Sequence, residues 1–142
     1  ELVADAVGRG ARVLAGGTRP PGPGHFYPPT VLVDVPEDAR MLAAEIFGPV
    51  APIISFMSDD EVLAKANDTV HGLAGYVFTR DLQRALRFTE GLDTGMLGIN
   101  RGLISDPSAP FGGVKQSGIG REGSHEGILE YLDVTYAAVD LP

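Results

Sequence analysis

Glycine and proline recur so often along this chain, 19 and 11 times in 142 residues, that no regular element can run far before it meets a residue that breaks it. Between the breaks, short β-branched runs alternate with amphipathic helical segments. Residues 1–8 read as the end of a helix, 11–15 as a short strand, 16–29 as a turn-rich loop and 30–33 as a second strand. Residues 39–44 have the composition of a helical turn, and 50–56, an apolar run between Pro49 and Ser58, read as a buried strand. Ser58 and Glu61 stand at capping-box spacing, so a helix is expected from there to Asn67. Residues 75–79 then read as a strand, 81–90 as a helix with Leu82, Ala85, Leu86 and Phe88 apolar, and 95–100 as a strand, two strand-to-helix units in succession. From 101 to 123 the pattern dissolves into a Gly, Pro and Ser loop, and loops of that length in a compact domain are usually functional or disordered. A short helix over 124–131 and a last strand over 132–139 complete the order. Such alternation is the signature of an α/β fold, and the length suits one domain with one buried core.

Composition excludes several classes of function. The net charge is -8 and the eleven Lys and Arg residues are scattered, so the basic stripe that binds phosphate backbones is missing and nucleic acid is not an expected partner. No run of ~20 apolar residues is available to span a bilayer, and no membrane partner is expected. The chain opens on Glu1, with Leu2, Val3, Ala6 and Val7 already forming an apolar helical face in place of the basic and apolar blocks of a signal peptide. It is therefore expected to continue a longer polypeptide. There is no cysteine, which removes disulfides, thiolate metal sites and any cysteine nucleophile from these residues. His25, His71 and His125 show no ligand spacing, and no metal is expected. Two motif matches carry little. Asn67-Asp-Thr69 is a formal glycosylation sequon with no sign of secretion around it. Gly118-Ile-Gly120-Arg-Glu-Gly123 satisfies the dinucleotide fingerprint, but no strand leads directly into it and too little chain follows for a βαβ unit.

Three stretches carry a resemblance: Glu45-Ile-Phe-Gly-Pro-Val50; Asn67-Asp-Thr69 with His71-Gly-Leu-Ala74 shortly after it; and Pro110-Phe-Gly-Gly-Val-Lys-Gln-Ser-Gly118 running into Gly120-Arg-Glu-Gly123. In this order and spacing, over essentially the whole chain, they resemble the aldehyde dehydrogenase superfamily. Gly102-Leu-Ile-Ser105, Arg121-Glu-Gly-Ser124 and Glu130-Tyr-Leu132 look most like its succinate-semialdehyde branch. The resemblance implies the C-terminal part of the family's catalytic domain over 1–131, a mostly parallel sheet with flanking helices, followed over 132–142 by an oligomerisation strand and tail. It also implies the family's covalent chemistry, in which a cysteine thiolate attacks the aldehyde, the thiohemiacetal gives hydride to NAD or NADP, and a carboxylate base activates the water that hydrolyses the thioester. In the family the cysteine and the base lie upstream of the stretch matched here, so the chain alone is expected to be inactive.

Carried over residue by residue, Glu45 matches the glutamate that accepts from the nicotinamide ribose hydroxyls, a task suited to a carboxylate because its two oxygens take two donors. Phe47 would pack beside the nicotinamide, where an ordinary core aromatic is the competing reading. Ser105 matches a serine that helps hold the distal carboxylate of the substrate together with upstream arginines, against the alternative of a turn-capping serine before Pro107. Phe111 stands where the family has a substrate-tunnel aromatic, with an ordinary core aromatic as the competing reading, and Glu122 matches an accessory glutamate near the active site, against the alternative of an exposed carboxylate close to a helix. Arg121 and Asp133 are expected to pair and tie the Gly-rich loop to the last strand. Ala44, where many members carry a second acid, and Arg101, before the Gly102-Leu-Ile-Ser105 run, depart from the pattern. The implied setting is a cytoplasmic homo-oligomer, joined through the last strand, that oxidises a small aldehyde such as succinate semialdehyde. The competing functions are oxidation of glutarate semialdehyde or another aldehyde, and a truncated, non-catalytic interaction module.

Overall fold

Alternation of inward and outward side chains is clearest in the strand at Thr30–Val33, where the computed structural model, which describes all residues Glu1–Pro142, buries Thr30 and Leu32 almost completely. Around that strand, β2, the first of two separately packed units is built, Glu1–Ser58; the second is Asp59–Pro142. The buried hydrophobic cluster lies in the first unit. β1 (Arg12–Ala15) pairs antiparallel with β2, and β3 (Val50–Ile53) pairs with it in parallel from Thr30↔Val50 to Val33↔Ile53. The parallel pairing needs a crossover, and it is supplied by the segment that contains the one-turn helix α2 (Arg40–Ala43). α1 (Leu2–Gly8) contributes Ala6 to a buried cluster with Ala11, Leu32, Val35, Ala39 and Met41. Complete burial of a side chain such as Leu32 stabilises by about 1.5–3 kcal/mol.

Polar groups then set how these elements meet. Asp5 on α1 accepts from the Arg40 backbone N–H at 3.0 Å and from Arg9 Nε at 3.1 Å, so one carboxylate satisfies an orphan donor at the start of α2 and an ion pair on its own helix. The Arg40 amide, with help from the Arg9 guanidinium, holds this carboxyl below the ordinary aspartate range. Thr30 Oγ1 accepts from Gly17 N at 2.8 Å and donates to Pro28 O at 2.9 Å, which leaves the buried hydroxyl satisfied and closes the irregular 16–29 loop onto β2. β3 ends at Ile53, short of the predicted 56, because its partner ends first: Asp34, just past β2, takes φ 54° and turns the chain away.

In the second unit, α3 (Asp59–Asn67) is followed by β4 (His71–Gly72) and β5 (Ala74–Val77), then α4 (Leu82–Gly91), β6 (Met96–Ile99), β7 (Val114–Lys115) and α5 (Ser124–Leu129). β5 and β6 pair in parallel, Ala74↔Met96 through Val77↔Ile99, with α4 as the crossover. Asp81 caps α4, its carboxylate accepting from Gln83 N at 2.8 Å and Arg84 N at 3.2 Å. Beyond the ladder, the Asn100 side-chain amide bonds both Thr79 N and Thr79 O, continuing the strand pairing by one residue. Of the apolar face predicted on α4, only Phe88 is buried; Leu82 and Leu86 are exposed in this chain. Ion pairs from Arg84 to Asp59 and from Arg87 to Asp60 join α4 to α3.

One expectation is corrected here. Three small sheets form in place of one mostly parallel sheet: β2–β3 and β5–β6 are parallel, whereas β1–β2 and the two-residue β4–β7 ladder are antiparallel. Only the two pairs joined through a helical crossover run in parallel, as the geometry of such connections requires. The segment 132–139, expected to pair as a strand with another subunit, is without a partner in the single chain: residues 133–142 have no regular structure, and Val134 and Tyr136 are almost fully exposed. A strand exists only through its ladder partner, and no strand of this chain pairs with that segment.

Candidate active-site loop

The loop that interrupts the periodic pattern after β6 is a constrained structure. Phe111 and Glu122 pair as an isolated antiparallel bridge, each donating its backbone N–H to the carbonyl of the other at 2.8 Å. Between them the chain runs out through Gly112 and Gly113 into β7 and returns through Ser117 and Gly120. β7 pairs with β4, His71↔Lys115 and Gly72↔Val114, while Gln116 N donates to Val70 O at 2.9 Å and Ser117 Oγ accepts from Gly72 N at 2.9 Å.

Close approach explains two of the glycines. A Cβ on Gly95, at the entrance to β6, would lie 2.1 Å from Gly112 O and 2.7 Å from Gly113 Cα, so the backbone of the loop rests directly on the start of the strand. A Cβ on Gly112 would meet Gly120 O at 2.6 Å, which shows how tightly the outgoing and returning limbs approach. In the 118–123 stretch the three glycines of the fingerprint match all have positive φ. They make a turn that leads into the six-residue α5, and a phosphate-binding strand-to-helix junction is not what they build.

The limbs line an open cleft of about 360 Å³ whose wall includes Phe111, Ser117, Ile119, Arg121, Glu122 and Glu130. Arg121 braces it: Nη1 donates to Gly113 O at 2.9 Å and to Gly120 O at 2.7 Å, and the Arg121 backbone N–H donates to the Glu130 carboxylate at 3.2 Å. The Arg121–Asp133 pair expected from the sequence is therefore not made, because two loop carbonyls take the guanidinium first and Asp133 lies in the exposed tail. A larger hollow, about 450 Å³ between residues such as Val3, Val13 and Tyr27 of the first unit, contains none of the candidate site residues.

The predicted site residues fall into two sets. Phe111 and Glu122 are brought together at the second-unit cleft. Ser105 is exposed on the same side of the sequence but does not line that cleft. Its segment is tied to the loop by Ser124 N, which donates to Pro107 O at 3.2 Å. At the next residue, Asp106 accepts from the Ser108 hydroxyl at 2.7 Å and the Ser108 amide at 2.9 Å, bonds that hold its carboxyl below the usual range. Ser105 is therefore not the residue that caps this turn; Asp106 is.

Glu45 and Phe47 belong to the first unit, in the extended segment after α2 that begins where Ala44 leaves helical geometry. Phe47 is 92% exposed, which removes the core-aromatic reading within this chain. The Glu45 carboxylate is exposed and engages no other group of the chain. Both of its oxygens are thus available to a vicinal diol, which suits the ribose of a nicotinamide nucleotide. What sequence reasoning missed is the anchoring of the loop: β4 and β7, two residues each, and the side chains of Lys115 and Ser117 had no periodic signal to reveal them.

Comparison with known proteins gives a consistent result. The profile of the Aldehyde dehydrogenase family matches residues 1–137. The chain is 50% identical over 141 residues to succinate-semialdehyde dehydrogenase [NADP(+)] GabD of Escherichia coli, covering 99% of this chain and 29% of that protein. It is 52% identical over 136 residues to glutarate-semialdehyde dehydrogenase of Pseudomonas aeruginosa, covering 96% of this chain and 28% of that protein. Among solved structures, one described as an E. coli NADP dependent enzyme superposes with a TM-score of 0.95 at 49% identity, over 99% of this chain and 29% of that one. The chain thus spans under a third of the length of the relatives it matches.

Proposed function

Because the chain belongs to the aldehyde dehydrogenase family, we propose that it forms the cofactor- and substrate-positioning part of an NAD(P)-dependent, cytoplasmic dehydrogenase that oxidises a small carboxylate-bearing aldehyde, succinate semialdehyde first. The observation that carries the proposal is the pairing of Phe111 with Glu122 in the wall of a braced cleft, within a chain half identical to semialdehyde dehydrogenases.

In this reading the nicotinamide, when bound, supplies the hydride acceptor, and everything else is placement. Glu45 accepts from the ribose hydroxyls and so fixes the distance of the ring from the aldehyde, while Phe47 limits the swing of that ring. Phe111 walls the aldehyde passage with an apolar face that excludes water. Glu122 presents a carboxylate beside it that orders the water near the hydrolytic base. Ser105 donates its hydroxyl to the distal carboxylate of the substrate; a neutral donor completes that coordination but cannot neutralise the charge, so arginines outside this chain provide most of the affinity. The thiolate that attacks the aldehyde also comes from outside it. Glutarate semialdehyde is the second reading, supported by the Pseudomonas relative and by the one-methylene difference between the substrates.

In a full-length protein carrying this chain, Ser105→Ala is expected to raise KM for succinate semialdehyde about tenfold, the cost of one hydrogen bond to a charged group, with little change for an uncharged aldehyde of similar length. Steady-state kinetics on both aldehydes tests it, and equal effects on the two would mean that Ser105 only shapes its loop.

The exposed tail belongs to the same proposal. Leu132, Val134, Tyr136 and Ala138 alternate with Asp133, Thr135, Ala137 and Val139, so an extended conformation gives one apolar face. Pairing with another subunit would satisfy its backbone and cover that face. Sedimentation of the chain is therefore expected to show association or aggregation that a version ending at Tyr131 loses; two equally monomeric species would remove the tail from assembly.

A further inference from the structure

Lys115 has an environment that the chemistry described so far does not use. Its backbone lies in the left-handed region, φ 54°, which a lysine adopts at a cost. Its side chain is largely covered, 22% exposed, and its ammonium meets three acceptors: Asn67 O at 2.8 Å, Thr69 O at 3.2 Å and Asp93 Oδ2 at 3.0 Å. An ammonium has three donors and no acceptor, so this set satisfies it fully. The acceptors come from the last residue of α3, from the turn before β4, and from the turn between α4 and β6. Those parts are themselves locked together, since Asn67 donates to Gly91 O at 2.7 Å and accepts from Asp93 N at 2.8 Å. The carbonyl of Asn67 also lies at the negative end of α3, where a cation is favoured.

Lys115 sits on β7, midway between the limb that begins at Phe111 and the limb that ends at Glu122, and the ladder holding β7 has only two residue pairs. So short a ladder fixes register weakly; the bonds Gln116 N to Val70 O and Gly72 N to Ser117 Oγ support it locally, and the ammonium adds the contact that reaches α3 and the turn after α4. We propose that Lys115 is a positioning residue: its three-way contact sets where the Phe111–Glu122 bridge stands, and through it the width of the aldehyde passage. This rests on the assignment of Phe111 to that passage.

The test uses a full-length protein carrying this chain. Lys115→Met keeps the length of the side chain and removes all three donors. It is expected to raise KM for the aldehyde about tenfold, because a passage of altered width binds substrate and transition state less well by the same amount. kcat should stay within about twofold and cofactor affinity should be unchanged, because the cofactor contacts belong to Glu45 and Phe47. Phe111→Ala should itself raise KM, and adding Lys115→Met to it should cost less than about twofold more, because the two changes act through one group. A Lys115→Met protein with lowered Tm but wild-type KM would show a purely structural role and overturn the inference, as would effects that multiply in the double variant. If Lys115→Met fails to fold, Lys115→Arg carries the same comparison: it keeps the charge but its planar fork does not match three converging acceptors, so raised KM supports the inference and wild-type KM overturns it. Wild-type KM in Phe111→Ala would instead sink the assignment of Phe111, and the inference with it.

Discussion

Assayed by itself with succinate semialdehyde and either NAD or NADP, the 142-residue chain is expected to produce no reduced cofactor above a heat-killed control. The expected loss is total because the step that fails is the first one. Oxidation by this family begins with a thiolate, and these residues include no cysteine. No other side chain in the candidate site replaces it. The chain has two lysines, and both ammonium groups are engaged, Lys65 with Glu61 at 2.8 Å and Lys115 with three acceptors. Ser117 Oγ, the hydroxyl on the cleft wall, accepts a backbone N–H and has no histidine or carboxylate base bonded to it. Fusing the chain behind the remaining part of the E. coli relative, which supplies the other segments of the family fold, should restore turnover. Activity of the isolated chain would overturn the proposed division of labour, and an inactive but folded fusion would show that this chain cannot do the positioning assigned to it.

Glu45→Gln in a full-length protein is expected to weaken cofactor binding or hydride transfer by roughly tenfold to a hundredfold, the range for losing a charge-assisted hydrogen bond of ~1.5–3 kcal/mol. The substitution keeps shape and length, and the exposed carboxylate has no partner in the chain that its removal would orphan, so stability should hardly change. That separation makes the result interpretable: Tm and the alkylation rate of the active-site thiol should stay near wild type while the cofactor dissociation constant, or the single-turnover rate, moves. If both of the latter are unchanged, Glu45 is not in the cofactor site.

Several elements are legible in the sequence alone. β2 falls on the predicted 30–33, α3 ends at the predicted Asn67, and the β5–α4–β6 crossover follows from period and punctuation alone. These elements are stabilised by what lies within or next to them: a cap at Asp81, glycines at the ends, side chains repeating every two or every three to four residues. The candidate residues were legible for a different reason, since their motifs stand in order along the chain. Whether Phe47 is core or surface was not legible, and its exposure settles the question for this chain alone.

Sequence by itself determined the α/β alternation, the family and the absence of cysteine, because each depends on residues adjacent in the chain or on composition. Tertiary structure decided how strands pair and what holds the loop. β4 and β7 become strands only because His71 meets Lys115 across the intervening elements, and two residues carry no period to announce that meeting. Arg121 bonds Gly113 and Gly120 instead of Asp133 because the returning limb brings those carbonyls within 3 Å of it, a proximity with no mark in the order of residues. The tail lacks a strand for the same reason. Alternation can prepare an apolar face, but hydrogen-bond partners for the backbone must come from another segment, and this chain provides none there.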